Sequence, residues 1–273
     1  MKVIRGRKAL VTGAASGIGR AIALALAREG ADLYLIDIDE TKLEAVAREA
    51  EGGGVSVATA VCDLSQPSQI SDAVRQLKSA WDRLHILVNN AGVAYYGPTH
   101  LMTAAQWDQM LAINLMAPIQ LSRELLPLLA AQDEAHILNV CSIFGLVTMR
   151  KGAAYQTTKS GLVGFTAALR AEYSRPSFGV SALCPGFVRT PMLETFTTGK
   201  PGQKRHEFPS WATTSAEKVA DAAIRAIRGN RGLVVITPVA RLLWWLARLS
   251  PRLFDWLTRE GWRRRGRLDI ARS

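Results

Sequence analysis

The chain has 273 residues, of which 48% are hydrophobic and 21% charged, and its formal net charge is +11. This length and composition are typical of one large globular domain or at most two small ones. The charge is uneven, because residues 238–273 contain nine Arg against three acidic residues. The sequence has no zinc-finger spacing and no aromatic-basic RNA motif. We therefore do not take the excess of basic residues as a sign of nucleic-acid binding, and we predict no nucleic-acid partner.

Cysteine and histidine usage limits the chemistry that the chain can carry. Cys62, Cys141 and Cys184 are far apart in apolar stretches, which indicates buried thiols in a reducing compartment. The four histidines share no ligand spacing, so we predict no metal site. The first apolar run, residues 9–11, is too short for a signal peptide or a membrane span, and we expect a cytoplasmic protein.

The first 37 residues predict a strand, a glycine-rich turn, a helix, a second strand and an acidic residue. The strand covers residues 8–12, the turn runs from Gly13 to Gly19, and the second strand ends at Asp37. A glycine turn at a helix start brings backbone N–H groups to a pyrophosphate, whose charge the helix dipole favours. Asp37 lies 20 residues after Gly17, where a carboxylate can accept from ribose hydroxyls. The plain alternative is a tight turn without a ligand.

Asp37 also bears on the choice of cofactor. A carboxylate at this position repels the 2′-phosphate that distinguishes NADP from NAD. No Lys or Arg stands among Ala14 to Ser16, and Ile38 follows the acid where a basic residue would have helped NADP. We therefore predict NAD as the cofactor, with NADP disfavoured.

Strands and helices alternate as far as residue 237. Further helices are predicted at 40–51, 69–81, 153–174 and 216–228, with one or two more inside 103–131. Further strands are predicted at 55–61, 86–88, 137–141, 179–183 and 233–236. This pattern predicts an α/β fold with a Rossmann-like, doubly wound, seven-stranded parallel sheet. Residues 192–214 lack periodicity and are predicted to form a mobile loop.

Three polar positions after strands or inside helices are candidate site residues. Asn89 and Asn90 follow a strand, and they either hold a turn or border a cofactor. Asn114 lies among apolar residues within a helix, where a buried amide needs partners: a neighbouring carbonyl, or a water beside Lys159. Ser142 ends the fifth strand, at the edge where open α/β sheets bind ligands, although a lone serine there is usually a cap.

Tyr155 and Lys159 are four residues apart in a predicted helix, so their side chains project from one face. A free tyrosine titrates near pH ~10 and exchanges protons poorly at neutral pH. A nearby ammonium favours the phenolate and would lower the pKa of Tyr155 toward the working range. The pair predicts acid/base chemistry on a hydroxyl or carbonyl, although the same spacing is common on surface helices.

Over about residues 5–237 the chain resembles the short-chain dehydrogenase/reductase (SDR) family. The matching motifs are Thr12-Gly13-x3-Gly17-Ile18-Gly19, Asp63-Leu64, Asn89-Asn90-Ala91-Gly92, Asn114, Ser142, Tyr155-x3-Lys159 and Pro185-Gly186. Each motif is moderately specific, and their order and spacing together are much more so. The resemblance implies an oxidoreductase that assembles as a homo-oligomer, a dimer or a tetramer.

The resemblance also implies roles for individual residues. Tyr155 would be the general acid/base, and Lys159 would lower its pKa and hold the nicotinamide ribose. Ser142 would hydrogen-bond the substrate oxygen, and Asn114 would support a water that joins Lys159 to solvent. The implied cofactor-binding residues are Gly13, Ser16, Gly17, Ile18, Gly19, Asp37, Asp63, Leu64, Asn90, Tyr155, Lys159, Val188 and Thr190.

The segment after Ser142 departs from the family pattern, because residues 143–147 are bulkier than the small residues often found there. The other predicted lining residues are aromatic or apolar: Tyr95, Tyr96, Phe187 and Met192. We therefore predict a hydrophobic secondary alcohol or ketone as substrate, of steroid, lipid or terpenoid type. Two alternatives stay open: an NADP-dependent reductase of β-keto acyl compounds, and a dinucleotide-binding module that acts at membranes.

Residues 238–273 are predicted to be a basic helical extension of a catalytic domain that covers residues 1–237. Its apolar stripe at helical spacing consists of Leu242, Leu246, Leu249, Leu253 and Trp256/Leu257. The arginines lie mostly off this stripe, and two amphipathic helices broken near Ser250-Pro251 are expected. Residues 238–267 have two interpretations. They contact a membrane peripherally, or they are buried within the protein, by packing on their own domain, by covering the active site or by forming a subunit interface.

Overall fold

The computed structural model describes residues 1–148, 150–190, 197–198 and 213–263, with side chains described up to residue 257 apart from the pair 197–198. Met192 and most of the predicted loop at 192–214 lie outside these ranges. In chain order the strands are β1 (Lys8–Thr12), β2 (Asp32–Asp37), β3 (Val57–Val61), β4 (Ile86–Asn89), β5 (Tyr95–Tyr96), β6 (Ala135–Val140), β7 (Phe178–Cys184), β8 (Phe187–Val188), β9 (Thr197–Thr198), β10 (Thr213–Thr214) and β11 (Leu233–Val235).

Helices follow most of the strands. They are α1 (Gly17–Arg28), α2 (Glu40–Glu51), α3 (Pro67–Ala80), α4 (Ala104–Leu111), α5 (Ala117–Ala130), α6 (Ala153–Tyr173), α7 (Ala216–Arg228), α8 (Pro238–Leu249) and α9 (Pro251–Arg263). The helical stretch predicted within 103–131 is two α-helices joined by a π-helical turn, Ala112–Met116. It begins with a capping box, in which Thr103 and Gln106 satisfy each other's backbone N–H groups.

The predicted seven-stranded parallel sheet is confirmed, with strand order β11-β7-β6-β4-β1-β2-β3. The chain starts at β1, builds outward to β3, and then crosses back to place β4 on the other side of β1. This reversal creates a crevice outside the carboxyl ends of β1 and β4, where doubly wound folds bind their ligands. The glycine turn after β1 and the asparagine pair after β4 meet there.

Successive residues of β1 point to opposite faces of the sheet, and each face has its own core. Val11 belongs to the core under α1 and α7, together with Ile22 and Val219. Leu10 belongs to the core under α3 and α5, together with Leu77. Because burying one large aliphatic side chain contributes roughly 1.5–3 kcal/mol, these two layers fix the sheet edge on which the candidate site stands.

The C-terminal helices form a smaller third core. Ala240 on α8 and Phe254 on α9 are buried against the end of β7 and β11, near Cys184 and Val235. The helices break at Ser250, between Leu249 and Pro251, where the sequence predicted a break. Among the residues that the structure describes, no helix is long and apolar enough to cross a membrane.

Candidate functional site

The turn after β1 requires glycine at three positions, Gly13, Gly17 and Gly19. Gly13 and Gly17 have φ values of 65° and 55°, in the left-handed region that favours glycine. A Cβ at Gly19 would lie 2.0 Å from the Gly13 carbonyl oxygen, so only glycine lets α1 start this close to the turn. The Ser16 side chain is exposed and makes no capping hydrogen bond, and Ile18 is half-buried in the first turn. The helix start therefore fits a diphosphate.

Asn90 fastens the end of β4 to this turn. Its side-chain amide donates to the carbonyl oxygens of Thr12 and Gly13, at 2.9 Å and 3.2 Å. In return, the Thr12 hydroxyl accepts from the backbone N–H groups of Asn90 and Ala91. Both interpretations of the pair thus fit Asn90, which holds the turn and borders the glycine loop. Asn89 instead ends β4 as a buried residue and does not hold the turn.

The Asp37 carboxylate lies next to the glycine turn at the end of β2. Its Oδ2 accepts from the Ala15 N–H at 2.9 Å, and its Oδ1 accepts from the N–H groups of Ile38 and Asp39. These bonds fix the orientation of the carboxylate, and its remaining lone pairs can still accept from a ribose hydroxyl. The residues at this edge therefore fit a dinucleotide, with Asp37 as the residue that could accept from its ribose.

The remaining cofactor candidates also follow strands at the carboxyl edge of the sheet. Asp63 follows β3 and accepts from the Ser65 N–H at 2.9 Å, while Leu64 beside it is buried. Val188 is buried in β8, which pairs in parallel with β10, and half-buried Thr190 comes two residues later. The candidates come from separate parts of the chain, and the fold places all of them at one edge of the sheet.

Tyr155 and Lys159 lie on the same face of α6, as their spacing predicts. The Lys159 ammonium is 5.9 Å from the centre of the Tyr155 ring, and it donates to the Val140 carbonyl oxygen at 3.0 Å. Lys159 is only 4% exposed, and burial lowers its pKa because the charged form is desolvated.

The pKa of Tyr155 differs from the sequence-based prediction. Burial raises it to about 12, and the side-chain hydrogen bond with Ser142 acts in the opposite direction. The prediction that Lys159 lowers the pKa of Tyr155 is wrong for the protein without bound cofactor. Desolvation of the phenolate raises this pKa by more than the favourable interactions lower it. At neutral pH the phenol therefore carries its proton.

Ser142 stands at the end of β6 and faces Tyr155. Its hydroxyl accepts from the Phe144 N–H at 3.2 Å, so it caps the short turn that follows, and it also hydrogen-bonds the phenol of Tyr155. The turn lies directly on α6, since a Cβ at Gly145 would be 2.7 Å from the Lys159 carbonyl oxygen. This close approach sets the position of Ser142 relative to Tyr155.

Asn114 is fully buried in the π-helical turn between α4 and α5. Its side chain accepts from the Val93 N–H and donates to the Val93 carbonyl oxygen, both at 2.8 Å, and it donates to the Thr158 hydroxyl at 3.2 Å. A Cβ at Gly92 would lie 3.2 Å from the amide oxygen of Asn114 and 3.5 Å from Lys159 Nζ. Asn114 therefore satisfies its backbone partners and also lies close to Lys159. π-Helical turns often mark functional sites.

A buried polar network behind the site was missed by sequence reasoning. The Asn89 amide donates to Asn139 Oδ1 at 2.8 Å and to the Ser122 hydroxyl, and the Asn139 amide donates to the Thr166 hydroxyl at 2.8 Å. The network joins β4, β6, α5 and α6, which all carry or support site residues. Its signals in the sequence are Asn139, inside the otherwise apolar stretch at 137–141, and Asn89, which was interpreted as part of a turn.

Apolar side chains surround the Tyr155 and Ser142 region. Phe144 and Phe187 form an edge-to-face pair with ring centres 5.6 Å apart, beside buried Ile143 and Val147. Tyr95 is buried in a second cluster with Met110 and Ala154, against which Trp107 and Tyr155 pack. Tyr96 is half-buried next to it, and the Lys151 ammonium lies 5.9 Å from its ring centre.

A glycine turn built for a diphosphate, a carboxylate at the end of β2, and Ser142, Tyr155 and Lys159 at the same sheet edge define a dinucleotide-dependent oxidoreductase. The family model described as short chain dehydrogenase matches residues 7–201. The chain therefore belongs to the short-chain dehydrogenase/reductase family.

Known proteins similar to this chain agree with that assignment. Oxidoreductase UcpA of Escherichia coli K12 is 37% identical over 219 residues, which cover 80% of this chain and 81% of that protein. A Burkholderia phymatum short-chain dehydrogenase/reductase solved with NAD has a TM-score of 0.82 and 26% identity, covering 93% of this chain and 96% of its own. A metagenomic short-chain oxidoreductase solved with NADP has a TM-score of 0.71 and 32% identity, covering 86% and 98%.

Proposed function

We propose that this enzyme transfers a hydride between NAD(H) and a hydrophobic secondary alcohol or ketone of steroid, lipid or terpenoid type. The observation that supports the chemistry is the Tyr155 phenol hydrogen-bonded to Ser142, one helical turn from the buried Lys159. The cofactor supplies the hydride chemistry, and the protein supplies position and proton transfer.

In this mechanism the substrate oxygen lies between the Ser142 and Tyr155 hydroxyls. During ketone reduction negative charge develops on that oxygen, and Ser142 stabilises it by donating a hydrogen bond. Tyr155 gives its proton to the same oxygen, and in the reverse direction it accepts the proton of the alcohol. Asn114 holds the Val93 backbone and Thr158 in place beneath this pair. Lys159 would hold the nicotinamide ribose, as the family resemblance implies.

The central test replaces Tyr155 with Phe, which removes only the hydroxyl. We expect kcat to fall about 10²- to 10⁴-fold on a panel of hydrophobic alcohols and ketones, because proton transfer is lost. NADH binding, followed by quenching of tryptophan fluorescence, should persist, because the other implied cofactor-binding residues are unchanged. Unchanged kcat in Tyr155→Phe would refute the acid/base role, and turnover of small polar sugars alone would refute the apolar substrate.

NAD is the proposed cofactor because the Asp37 carboxylate, oriented beside the glycine turn by the Ala15 N–H, would repel a 2′-phosphate bound next to it. We expect kcat/KM to be higher with NADH than with NADPH, and Asp37→Ser to reduce this preference at least tenfold by removing the repulsion. Asp32→Asn, at the other end of β2, is a matched control that should leave the preference unchanged. A wild-type preference for NADPH, with turnover of β-keto acyl thioesters, would favour the alternative reductase.

The apolar lining supports the proposed substrate class. Phe144 and Phe187 pack edge to face next to the segment that carries Ser142, and Tyr95 is buried beside Tyr155. We expect Phe144→Ser to raise KM for a bulky hydrophobic alcohol by about tenfold or more, since one aromatic contact surface is lost. The KM for a short alcohol should change much less. A parallel rise in both would indicate a general packing defect.

Assembly and non-catalytic roles are tested separately. We propose a homo-oligomer, as is common in the family, and light scattering coupled to size exclusion measures its mass directly. All residues to which the proposal gives a catalytic or cofactor-binding role lie within residues 1–237. A protein that binds NADH normally but turns over no alcohol or ketone of the panel would favour the alternative of a dinucleotide-binding interaction module.

A further inference from the structure

The outer face of the two C-terminal helices has no role in the proposed chemistry. Thirteen large hydrophobic side chains are exposed in the described part of the chain, and six of them lie within residues 242–257. On α8 they are Leu242, Trp245 and Leu249, and on α9 they are Leu253, Trp256 and Leu257. Scattered exposed apolar residues are normal, whereas six exposed large hydrophobic side chains within sixteen residues indicate an interaction surface.

Helix α8 is apolar on two opposite sides, and folding explains only one of them. Leu243, Trp244 and Ala247 pack on the third core with buried Ala240. Leu242 and Leu249 point the other way and are 69% and 75% exposed. A helix that served only to cover the domain would carry polar residues on this outer side.

Arginines border the exposed apolar stripe. Arg241 and Arg248 are seven residues apart and follow one edge of α8, and exposed Arg252 begins α9. Arg241 donates to the Val235 carbonyl oxygen, and the Arg248 guanidinium lies 5.9 Å from the Trp244 ring centre. Within the described ranges, none of these three arginines forms a salt bridge with a carboxylate.

This charge pattern distinguishes between the occupants that could cover the face. In a second copy of the chain, an isologous contact would bring two rows of arginines together, and residues 238–257 supply only one acidic residue per copy, Asp255. Residues 238–273 carry nine Arg and three acidic residues, which suits an anionic surface. Tryptophan and leucine beside arginine are typical of helices that lie in a lipid headgroup layer.

We propose that the outer face of α8 and α9 docks on a bilayer that contains anionic phospholipids. The two helices lie along the surface, with Leu242, Trp245, Leu249 and Trp256 among the acyl chain ends and with Arg248 and Arg252 at phosphate groups. Because Arg–phosphate attraction is electrostatic, the binding weakens as salt is added.

The same helices connect this face to the catalytic region. A cavity of about 260 Å³ lies where α8 meets α9. Its lining comes partly from Leu146, Val147 and Thr148, a few residues after Ser142, and partly from Ala247, Pro251, Phe254 and Asp255. We infer that the substrate passes from lipid through this cavity toward Ser142. This step rests on the apolar substrate proposed above.

The test uses the full-length protein and sedimentation with vesicles of phosphatidylcholine alone or with 30% phosphatidylglycerol. We expect pelleting with the anionic vesicles only. The triple variant Leu242→Gln, Trp245→Gln, Leu249→Gln should lose binding at least tenfold, because the apolar contact is removed. Arg248→Gln with Arg252→Gln should weaken binding about fivefold for each charge removed. The control, Val3→Gln with Val61→Gln, replaces apolar side chains exposed elsewhere.

Three outcomes would overturn the proposal. Wild-type protein that stays in the supernatant with both vesicle types excludes docking, and equal binding to both types excludes the role of the arginines. A change of mass in the triple variant without lipid, by light scattering, would assign the face to a second copy instead. These readouts need no turnover, so they remain valid even when the proposed reaction is refuted.

Substrate delivery has its own readout. With an apolar alcohol presented in anionic vesicles, the triple variant should show a KM at least fivefold higher than wild type, with kcat unchanged at saturation. With a short water-soluble alcohol, both parameters should match those of wild type. Equal KM values in vesicles would show that docking does not supply substrate.

Discussion

At the scale of single residues, burial controls the protonation of the groups that matter most. Desolvation raises the pKa of Tyr155 to about 12 and lowers that of Lys159. The spacing in the sequence correctly placed the two side chains on one face, but it predicted the wrong direction for the tyrosine pKa. The balance between burial and charge depends on Ser142 and on the surrounding core, and neither contact can be read from a spacing of four residues.

This raised pKa predicts different pH dependences for the two directions of the reaction. Ketone reduction needs the protonated phenol, so its kcat/KM should be flat from about pH 6 to 8. Alcohol oxidation needs the phenolate, so its rate should rise with pH above neutrality. Ser142→Ala removes the interaction that lowers the pKa of Tyr155, and the oxidation limb should move to higher pH. pH–rate profiles of both proteins measure this, and an oxidation limb unaffected by Ser142→Ala would contradict it.

A second residue-scale prediction concerns His136, which is fully buried between strands. Burial lowers its pKa to about 3, with Nε2 hydrogen-bonded to the Ser181 hydroxyl at 2.8 Å. In the unfolded chain the imidazole titrates near pH ~6.5, so the unfolded state binds more protons between pH ~6.5 and 3. This group imposes no penalty on folding above pH ~6.5, and within the window the free energy of unfolding falls by about 1.4 kcal/mol for each pH unit. Below the folded-state pKa of about 3 the penalty stays constant.

Thermal unfolding from pH 7.5 to 5 measures this loss. His136→Gln, which keeps a donor for Ser181, should flatten the decline of Tm at acidic pH even if Tm at pH 7.5 is lower. His100 is exposed, and His100→Gln serves as the matched control with an unchanged slope. If the slopes of all three proteins are equal, the acid sensitivity comes from other groups.

At the scale of elements, the strand order and most helix bounds follow from hydrophobic periodicity. The π-helical turn at 112–116 does not, because it covers a single turn of five residues, which is too short to show a periodicity of its own. The network of Asn89, Asn139 and Thr166 was also missed, since it forms only when β4, β6 and α6 pack together. Sequence patterns locate elements, whereas polar contacts between distant elements require their relative positions.

The contact between α1 and the glycine turn gives a prediction at this scale. In Gly19→Ala the new Cβ meets the Gly13 carbonyl oxygen at 2.0 Å, so the turn must move. Overpacking of this kind costs about 1–3 kcal/mol, and the affinity for NADH should fall at least tenfold because the N–H groups at the helix start are displaced. Fluorescence titration and thermal unfolding measure the two effects.

Gly164→Ala is the matched control, because Gly164 lies in α6 and an added Cβ there would meet nothing within 4 Å. It should raise stability by about 0.4–1 kcal/mol by restricting the unfolded chain, with NADH affinity unchanged. Wild-type NADH affinity in Gly19→Ala would show that the turn tolerates a shift and would remove its proposed role in holding the diphosphate.

At the scale of the whole molecule, the sequence suggested a catalytic domain ending at residue 237 and a separate helical extension. The inner side of α8 and Phe254 of α9 instead share a core with Cys184 and Val235, at the edge of the main sheet. A boundary drawn from composition marks where charge and pattern change. It does not show which buried surfaces the two segments share.

Removing the extension should therefore destabilise the enzyme. A chain ending at Thr237 uncovers Val235 and the end of β7, and each large apolar group left exposed costs roughly 1.5–3 kcal/mol. We expect this chain to be insoluble or to unfold at least about 10 °C below wild type. A chain ending at Arg263 keeps both helices and is the control, with Tm close to that of wild type. If the shorter chain unfolds at the wild-type Tm and binds NADH normally, residues 238–273 are an independent unit, and α8 and α9 contribute nothing to the catalytic core.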